Sequence, residues 1–369
     1  MNRPEAFDTQ RVLGRFSPLI LSLFNTLIVN AWNRLLKPLI LLGVVVIAFA
    51  VVWPMTIRMP GESFQGPLPP ATDELHTLQD ELHSYVQTLA GDIGERNLFR
   101  YDKLVAAAGY IRATLSAAGY YEVGGQTYHV AGKKCENLEV EVPGTDRSDE
   151  IMVIGAHYDS VQGSPGANDN GTGIAAMLAL ARVFQHHPIK RTLRFVAFVN
   201  EEPPFFQTDD MGSRVYARRS KQRGESIDLM ISLETIGYYS DQPGSQSYPP
   251  PLNVVYPNTG NFVAFVSNTD NGLWVETVTH VFRQEVQFPS EGAALWGWIP
   301  GVGWSDHWAF WEEGYPAIMV TDTALFRYPA YHTAEDTPDK VNYERLARVV
   351  LGLQQVINTI ANQSDSTSI

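Results

Sequence analysis

The chain is poor in cysteine, in charge and in basic residues. Its one cysteine, Cys135, excludes an internal disulfide, and we expect a buried thiol there rather than a nucleophile. Charged residues make up 18% of the 369 residues, and the formal net charge is −13, which is atypical of a general nucleic-acid-binding protein. Hydrophobic residues make up 44%, an ordinary globular proportion that excludes wholesale disorder.

Charge is also missing from a long apolar run near the N-terminus. Residues 38–55 read PLILLGVVVIAFAVVWPM and contain no charged side chain. A helix of this length would span about 27 Å, close to the roughly 30 Å of a bilayer core. Residues 1–37 contain five basic and two acidic side chains, and positive charge of this kind is typical of the cytoplasmic side. We therefore expect a single-pass transmembrane helix over residues 38–55, with the body periplasmic or extracellular.

Other arrangements of the N-terminal segment are weaker or stay open. A cleaved signal sequence fits poorly, because the segment before the apolar run is long and Val52-Trp53-Pro54 is a poor cleavage site. A buried helix is the remaining alternative for the run itself. Residues 16–32 are also apolar but carry interrupting polar side chains, which suits an interfacial helix. A second span there would place the body in the cytoplasm instead.

The remainder of the chain divides into a short linker and one large domain. Residues 56–71 are rich in proline and glycine, which predicts a linker, and residues 72–369 are expected to form one large domain. Apolar residues at helical spacing alternate there with short β-prone runs. The predicted strands are Leu138–Val142, Ile151–Ile154, Leu193–Val199, Met230–Leu233 and Ala317–Val320. This alternation predicts an α/β three-layer sandwich with a mainly parallel central sheet.

Metal-ligating residue types occur in five short segments, several directly after predicted strands. They are His157-Tyr-Asp159, Asp169-Asn-Gly-Thr-Gly, Glu201-Glu202, Glu234-Thr and Tyr331-His332. In parallel sheets, ligands bind beyond the carboxyl ends of the strands, so these segments should converge. Two imidazoles and several carboxylates are enough to hold two zinc ions, with one carboxylate left as a base. The sequence therefore predicts a dinuclear Zn²⁺ site that hydrolyses peptide bonds with a zinc-bridging hydroxide.

Each segment indicates a role, and each also has an ordinary structural explanation. Asp169 is the candidate bridging carboxylate, although Asn-Asp-Asn-Gly is also a typical turn. His157 is a candidate ligand, with Asp159 placed to accept its second ring N–H. Adjacent carboxylates at a strand end repel each other unless cations lie nearby, so we expect Glu202 to be a ligand and Glu201 the general base.

The last two segments complete the predicted site. Glu234 would complete the ligand set of one zinc ion, and His332 would complete that of the other. The Tyr331 hydroxyl is a candidate donor to the developing oxyanion, or else a packing aromatic. Asp306-His307 opens an aromatic segment and is expected to support the site rather than to hold metal.

Taken in order, these segments resemble the bacterial leucyl-aminopeptidase-type family of dinuclear zinc peptidases, whose fold is shared by glutamate carboxypeptidase II and the glutaminyl cyclases. The resemblance covers roughly residues 72–361 and includes Ser305-Asp306-His307. It implies that His157, Asp169 and Glu234 hold one zinc, and that Asp169, Glu202 and His332 hold the other. It also implies Glu201 as base, Tyr331 as polarising hydroxyl and a cis Asp169–Asn170 bond.

The chain departs from that family at two places, and several activities stay open. The family usually has aspartate where this chain has Glu234, and residues 203–210 form an insertion beside Glu201-Glu202. An aminopeptidase acting on peptides is the leading expectation. A carboxypeptidase or dipeptidase would need a basic clamp, for which Arg214, Arg218 and Arg219 are candidates. A glutaminyl cyclase would use one zinc, and a non-catalytic, receptor-like protein would be expected to lose ligands.

Overall fold

The structure, a computed structural model, describes residues 26, 27, 30, 32–43 and 57–363. The chain divides into two compact units, Met1–Met55 and Thr56–Ile369. In the first unit, a π-helical turn at Trp32–Leu36 is followed by helical residues 37–43. Most of the predicted span over residues 38–55, and most of the apolar run over 16–32, lie outside the described residues. Within the described part of the chain, every helix is too short or too polar to cross a membrane.

The second unit is built on one sheet, which has eight strands in the described residues and the order β1-β2-β4-β3-β5-β8-β6-β7. The strands are β1 Gly124–Val130, β2 Lys133–Val142, β3 Arg147–His157, β4 Arg191–Phe198, β5 Ser226–Glu234, β6 Val263–Asn268, β7 Ser290–Leu295 and β8 Ala317–Thr321. Four neighbouring pairs are parallel, namely β3–β4, β3–β5, β5–β8 and β6–β7, and the other three are antiparallel. The sheet is therefore mixed, with its parallel part at the centre.

Helices cover both faces of the sheet, as the three-layer prediction requires. They are α1 Asp73–Val86, α2 Tyr101–Ala117, α3 Gly173–Phe184, α4 Gly212–Gln222, α5 Gly272–Glu285, α6 His307–Glu312 and α7 Tyr343–Asn362. Side chains alternate along β3: Met152 and Ile154 pack into the large core under α1, α2, α3, α5 and α7, whereas Ile151 and Val153 pack into the smaller core under α4 and α6. A central strand buried on both faces explains why β3 reads as a continuous apolar run.

Local sequence signals set the helix boundaries. Helix α1 begins where the Thr72 side chain accepts a hydrogen bond from the Leu75 backbone N–H at 3.2 Å. Its buried residues Leu75, Leu78, Leu82 and Val86 follow the helical spacing seen in the sequence. Helix α3 is apolar over almost its whole length, and all of its residues except Arg182 and Val183 are buried. Such all-round apolarity is typical of a helix covered by other helices.

Residues 58–71, within the predicted linker, form neither helix nor strand, and the start of this segment lies against the body. Arg283 on α5 donates to the carbonyl oxygens of Met59 and Gly61, at 3.3 and 3.0 Å. The Ser63 hydroxyl accepts from the Ser290 N–H at the start of β7, at 2.9 Å. These contacts hold residues 57–63 against the β7 edge of the sheet.

Candidate metal centre

The candidate ligands gather at the carboxyl ends of three adjacent parallel strands. His157 is the last residue of β3 and Glu234 the last residue of β5, and Glu201 follows three residues after the end of β4. Because β3 lies between β4 and β5, these three chain ends meet at one edge of the sheet. The placement follows from the rule that parallel sheets present their sites at the carboxyl ends of strands.

Two groups of three ligand-type residues share one aspartate. His157 Nε2 lies 3.4 Å from Asp169 Oδ1 and 3.3 Å from Glu234 Oε2. His332 Nε2 lies 3.0 Å from Asp169 Oδ2 and 3.2 Å from Glu202 Oε2. Within each group the ligand atoms lie within 4.8 Å of one another. The structure thus brings together the five residues that the sequence proposed as ligands, with one Asp169 oxygen toward each histidine.

The chemistry of this cluster fits two zinc ions. Two imidazoles and three carboxylates are the nitrogen and oxygen donors that Zn²⁺ takes. Within the described residues, His157 Nε2 and Asp169 Oδ2 are buried and make no hydrogen bond of acceptable geometry. Buried acceptors left in this state are costly unless a cation satisfies them. The geometry therefore suits a pair of cations better than a hydrogen-bonded polar cluster.

Protonation in the metal-free protein reflects the same crowding. Burial alone would lower the pKa of His332, but Asp169 and Glu202 outweigh it and raise the pKa to about 10. Burial also opposes the charge on His157, whose pKa is nevertheless raised well above its usual value by Glu234 and Glu201. Burial, reinforced by the charge on Asp169, raises the pKa of Glu202 to about 7. In the metal-free protein these side chains therefore bind protons more tightly than usual, because the cluster of carboxylates favours positive charge.

Asp159 acts on the glutamate pair more directly than the sequence suggested. Its two carboxylate oxygens accept hydrogen bonds from the backbone N–H groups of Glu201 and Glu202, at 3.1 and 3.2 Å. His157 Nδ1 lies 3.2 Å from the Asp159 backbone oxygen and 3.6 Å from its carboxylate. The ring is thus oriented chiefly by a carbonyl, while the carboxylate fixes the turn that carries Glu201 and Glu202.

The Asp169 loop is held by hydrogen bonds from distant parts of the chain. The Asp169–Asn170 peptide bond is cis, as the family resemblance implied. Asp336 accepts from the backbone N–H groups of Asn168 and Asp169, at 2.8 and 3.1 Å. The Asn170 side-chain oxygen accepts from the Thr235 N–H beside Glu234, at 3.2 Å. The segment is therefore more than a solvent-exposed turn, because its conformation is fixed from both sides of the site.

Left-handed backbone conformations occur next to or at the candidate ligands. Asn200 has φ of 60°, Thr235 has φ of 45° and His332 has φ of 59°. Such angles are uncommon outside glycine and concentrate at functional sites, where surrounding contacts compensate the strain. Asn200 directly precedes Glu201, Thr235 directly follows Glu234, and His332 is itself a candidate ligand, so each of these backbone turns lies at the site.

Arg96 is a site-supporting residue that sequence reasoning missed. Its guanidinium is fully buried and donates to the carbonyl oxygens of Tyr158 and Gly166, at 2.7 and 2.8 Å. It thereby joins the loop after His157 to the loop before Asp169. Asp336 was also missed, although it lies only four residues after His332. Neither residue sits in a recognisable motif, so only the assembled fold identifies them.

Ser305 and Asp306 do lie beside the site, as expected. The Ser305 hydroxyl donates to Glu234 Oε2 at 2.7 Å. Asp306 is fully buried, both of its carboxylate oxygens lack a hydrogen bond in the described structure, and burial raises its pKa to about 7. His307 Nε2 instead faces the Val302 carbonyl at 2.8 Å, and burial lowers its pKa to about 4. His307 is therefore a packing residue.

Tyr331 lies at the boundary between the cluster and a neighbouring cleft. Its ring stacks on His332 with the centroids 3.9 Å apart. Burial and the nearby carboxylates raise its pKa well above the usual value, so the hydroxyl stays protonated and can donate. The cleft encloses about 800 Å³, part of it open to solvent, and Glu234, Glu291 and Tyr331 are among its polar lining residues. The remaining lining is largely apolar and includes Leu252, Tyr256, Phe262, Leu295, Val302 and Met319.

The fold and the shared-aspartate site together define a dinuclear metallopeptidase architecture. The model of peptidase family M28 matches residues 137–357, more than half of the chain, and the protein belongs to this family. It is 35% identical over 287 residues to the protein YfbL of Escherichia coli (strain K12), a match that covers 75% of this chain and 87% of YfbL. It is 29% identical to Aminopeptidase YwaD of Bacillus subtilis (strain 168), over 57% of this chain and 41% of that protein.

Solved structures share the same fold. A zinc aminopeptidase from Bacillus subtilis, BSAP, aligns with a TM-score of 0.60 at 16% identity, covering 79% of this chain and 96% of that one. A glutaminyl cyclase from Fimbriiglobus ruber aligns with a TM-score of 0.55 at 20% identity, covering 82% of this chain and 99% of that one. At these identities the likeness concerns the fold alone.

Proposed function

We propose that the protein is a zinc-dependent aminopeptidase that removes N-terminal residues from peptides. One observation carries this conclusion: two complete ligand groups meet at Asp169, with the unassigned carboxylate of Glu201 beside them. Membership of a peptidase family and the similarity to Aminopeptidase YwaD support it. The substrate is therefore a peptide with a free α-amino group.

The residues divide the work between holding metal and moving a proton. His157, Asp169 and Glu234 would hold one Zn²⁺, and Asp169, Glu202 and His332 the other. When bound, the two ions would lower the pKa of a water molecule and polarise the scissile carbonyl. Glu201 takes a proton from the attacking water and returns it to the leaving amine as the C–N bond breaks.

Tyr331 and Asp159 support the proton transfer that Glu201 carries out. Burial raises the pKa of Glu201 well above its usual value in the metal-free protein, and a carboxyl group at this position can both accept and return a proton. The Tyr331 hydroxyl donates a hydrogen bond to the scissile carbonyl oxygen as negative charge develops on that oxygen. Asp159 holds the backbone of Glu201 and Glu202 and so keeps the base in place.

The alternatives fit less well than an aminopeptidase. The arginines proposed as a carboxylate clamp already pair with acids: Arg214 with Glu313 at 2.8 Å, Arg218 with Asp209 at 2.6 Å, and Arg219 with Glu139 at 3.2 Å. A cluster rich in carboxylates favours a positively charged α-amino group over a C-terminal carboxylate. A glutaminyl cyclase shares the fold, but two complete ligand groups favour a two-zinc peptidase.

We also propose that residues 38–55 anchor the chain in a membrane, with the catalytic body on the extracytoplasmic side. The uncharged length and the basic N-terminal flank support this topology. Alkaline extraction of isolated membranes and, separately, protease treatment of intact spheroplasts from the outside test it. The body should stay with the membrane and be cleaved from outside. Release by alkali, or protection from the protease, would contradict the topology.

The activity is tested on the full-length protein in detergent. Peptides with a free N-terminus should release their first amino acid whether or not the C-terminus is amidated, and N-acetylated peptides should not. A chelator should abolish turnover and zinc restore it. Glu201→Gln should lower kcat by roughly 10²–10⁴-fold while two zinc ions stay bound. Glu122→Gln, the same change at an exposed position, is the matched control. Cleavage that requires a free C-terminus, or full activity of Glu201→Gln, would refute the assignment.

A further inference from the structure

Two long uncharged segments surround the cleft beside the metal centre. Residues 242–269 and residues 292–305 contain no acidic or basic side chain, although charged residues make up 18% of the whole chain. Both segments line the cleft, through Leu252 and Tyr256 in the first and through Pro300 and Trp304 in the second. The body is strongly acidic elsewhere, so this face is a local exception to the charge of the protein.

Large apolar side chains are exposed on these segments and at Leu325. Six residues form what we call the rim: Val254 (83% exposed), Val255 (44%), Trp296 (39%), Trp298 (77%), Trp304 (44%) and Leu325 (42%). The rings of Trp296 and Trp298 stack 5.9 Å apart, so they present one apolar surface. Trp304 and Leu325 also line the cleft, and the other four rim residues are close in the chain to its lining residues Leu252, Tyr256 and Leu295, so the rim adjoins the cleft. Single exposed apolar residues are ordinary, but a group of this kind indicates an interaction surface.

The chain reaches the body beside this same face. Residues 57–63 lie along the β7 edge, and a side chain at Gly292 would meet Met59 Cγ at 2.5 Å. Strand β7 runs from Ser290 to Leu295 and continues directly into Trp296. Six residues of extended chain span about 20 Å. The rim therefore begins within about that distance of the segment that follows the proposed membrane span.

We propose that the rim docks on the lipid bilayer that anchors the chain, so that the cleft opens toward the membrane interface. This inference rests on the anchor proposed above. Tryptophan prefers the headgroup region, and an uncharged rim avoids the cost of desolvating charges there. A covalent tether at the same edge gives the rim a high effective concentration at the bilayer. Peptides whose apolar N-terminal residue lies at the interface would then reach the cleft directly.

The test places a fluorescent probe on the rim of the full-length protein in nanodiscs that hold one chain each. Trp298→Cys and Val254→Cys provide two rim positions. Tyr121→Cys is the control, because Tyr121 is fully exposed and precedes β1, at the opposite edge of the sheet from β7. The native Cys135 is 1% exposed, and the parent protein reports any labelling there. Each labelled protein is quenched separately with a nitroxide-labelled phosphatidylcholine and with aqueous iodide.

Docking predicts opposite patterns at the two edges. The probes at 298 and 254 should be quenched several-fold more by the nitroxide lipid than the probe at 121, and several-fold less by iodide. Free access of iodide to both rim positions in a membrane-bound protein would overturn docking alone. Shielding that appears only when a disc holds two chains would assign the rim to a second copy and also overturn it. Protein that does not float with lipid vesicles would refute the anchor together with docking. None of these readouts uses peptidase activity.

Discussion

Zinc binding should release protons, because the metal-free site stores them in place of positive charge. At pH 7, His332, with a pKa of about 10, and His157, with a pKa well above 6.5, are both protonated. Glu202, with a pKa of about 7, is half protonated. Metal ligands must lose their protons on binding, so we expect at least about two protons to be released per chain at pH 7, one from each histidine. The combined affinity for two ions should then rise at least about 100-fold per pH unit near pH 7.

The measurement is isothermal titration calorimetry in buffers of different ionisation enthalpy. The slope of observed enthalpy against buffer enthalpy gives the number of protons released. His332→Asn should release about one proton fewer, since it removes one titrating ligand. His76→Asn, on an exposed part of α1, should change nothing. Release of less than one proton per chain, or an unchanged number in His332→Asn, would refute the claim that these ligands hold protons in the metal-free protein and lose them to zinc.

The same pKa values predict how the stability of the metal-free protein depends on pH. Glu202 is raised above its unfolded value, so the folded state holds more protons between about pH 4.5 and 7 and loses stability over that range. The histidines are also raised, so their stabilising contribution is complete below about pH 6.5 and is lost toward pH 10. Thermal unfolding in chelator should therefore show a Tm that falls as pH rises, and zinc should remove most of this dependence.

Three substitutions test the residues that hold the ligands. Ser305→Ala removes the donor to Glu234 and should weaken the affinity of that zinc site about 10–100-fold, measured by competition with a chromogenic chelator; unchanged affinity would show that the hydroxyl does not orient Glu234. Arg96→Met leaves buried carbonyls unpaired and should cost about 2–5 kcal/mol in urea unfolding, whereas a loss below 1 kcal/mol would mean that water replaces the guanidinium. Asp336→Ala removes the carboxylate that accepts hydrogen bonds from the Asp169 loop, so it should lower the free energy of unfolding by about 2–4 kcal/mol and also lower activity. Full activity would show that the loop keeps its shape without this contact.

Sequence reasoning succeeded for the central strands because their burial on both faces leaves a continuous apolar run. The five predicted strands are all present and extend one to five residues beyond the prediction at one or both ends, except that β4 ends one residue earlier than predicted. It missed β1, β6 and β7, and the β7 sequence Ser-Glu-Gly-Ala-Ala-Leu is poor in strong β-formers. That strand exists because it pairs with β6 and is covered by residues near Ser63. Strand formation there depends on partners that are distant in the chain, which local composition does not show.

By itself, the sequence determined which side chains are the candidate metal ligands. Zinc chemistry accepts few residue types, and these stand in short segments that follow strands, so local reading was enough. The tertiary structure decided that the ligand segments converge, that Arg96 and Asp336 hold the Asp169 loop, and that large apolar side chains are exposed beside the neighbouring cleft. These features depend on contacts between residues up to 168 positions apart, such as Asn168 with Asp336. Such contacts arise only when the sheet and its covering helices bring the chain ends together.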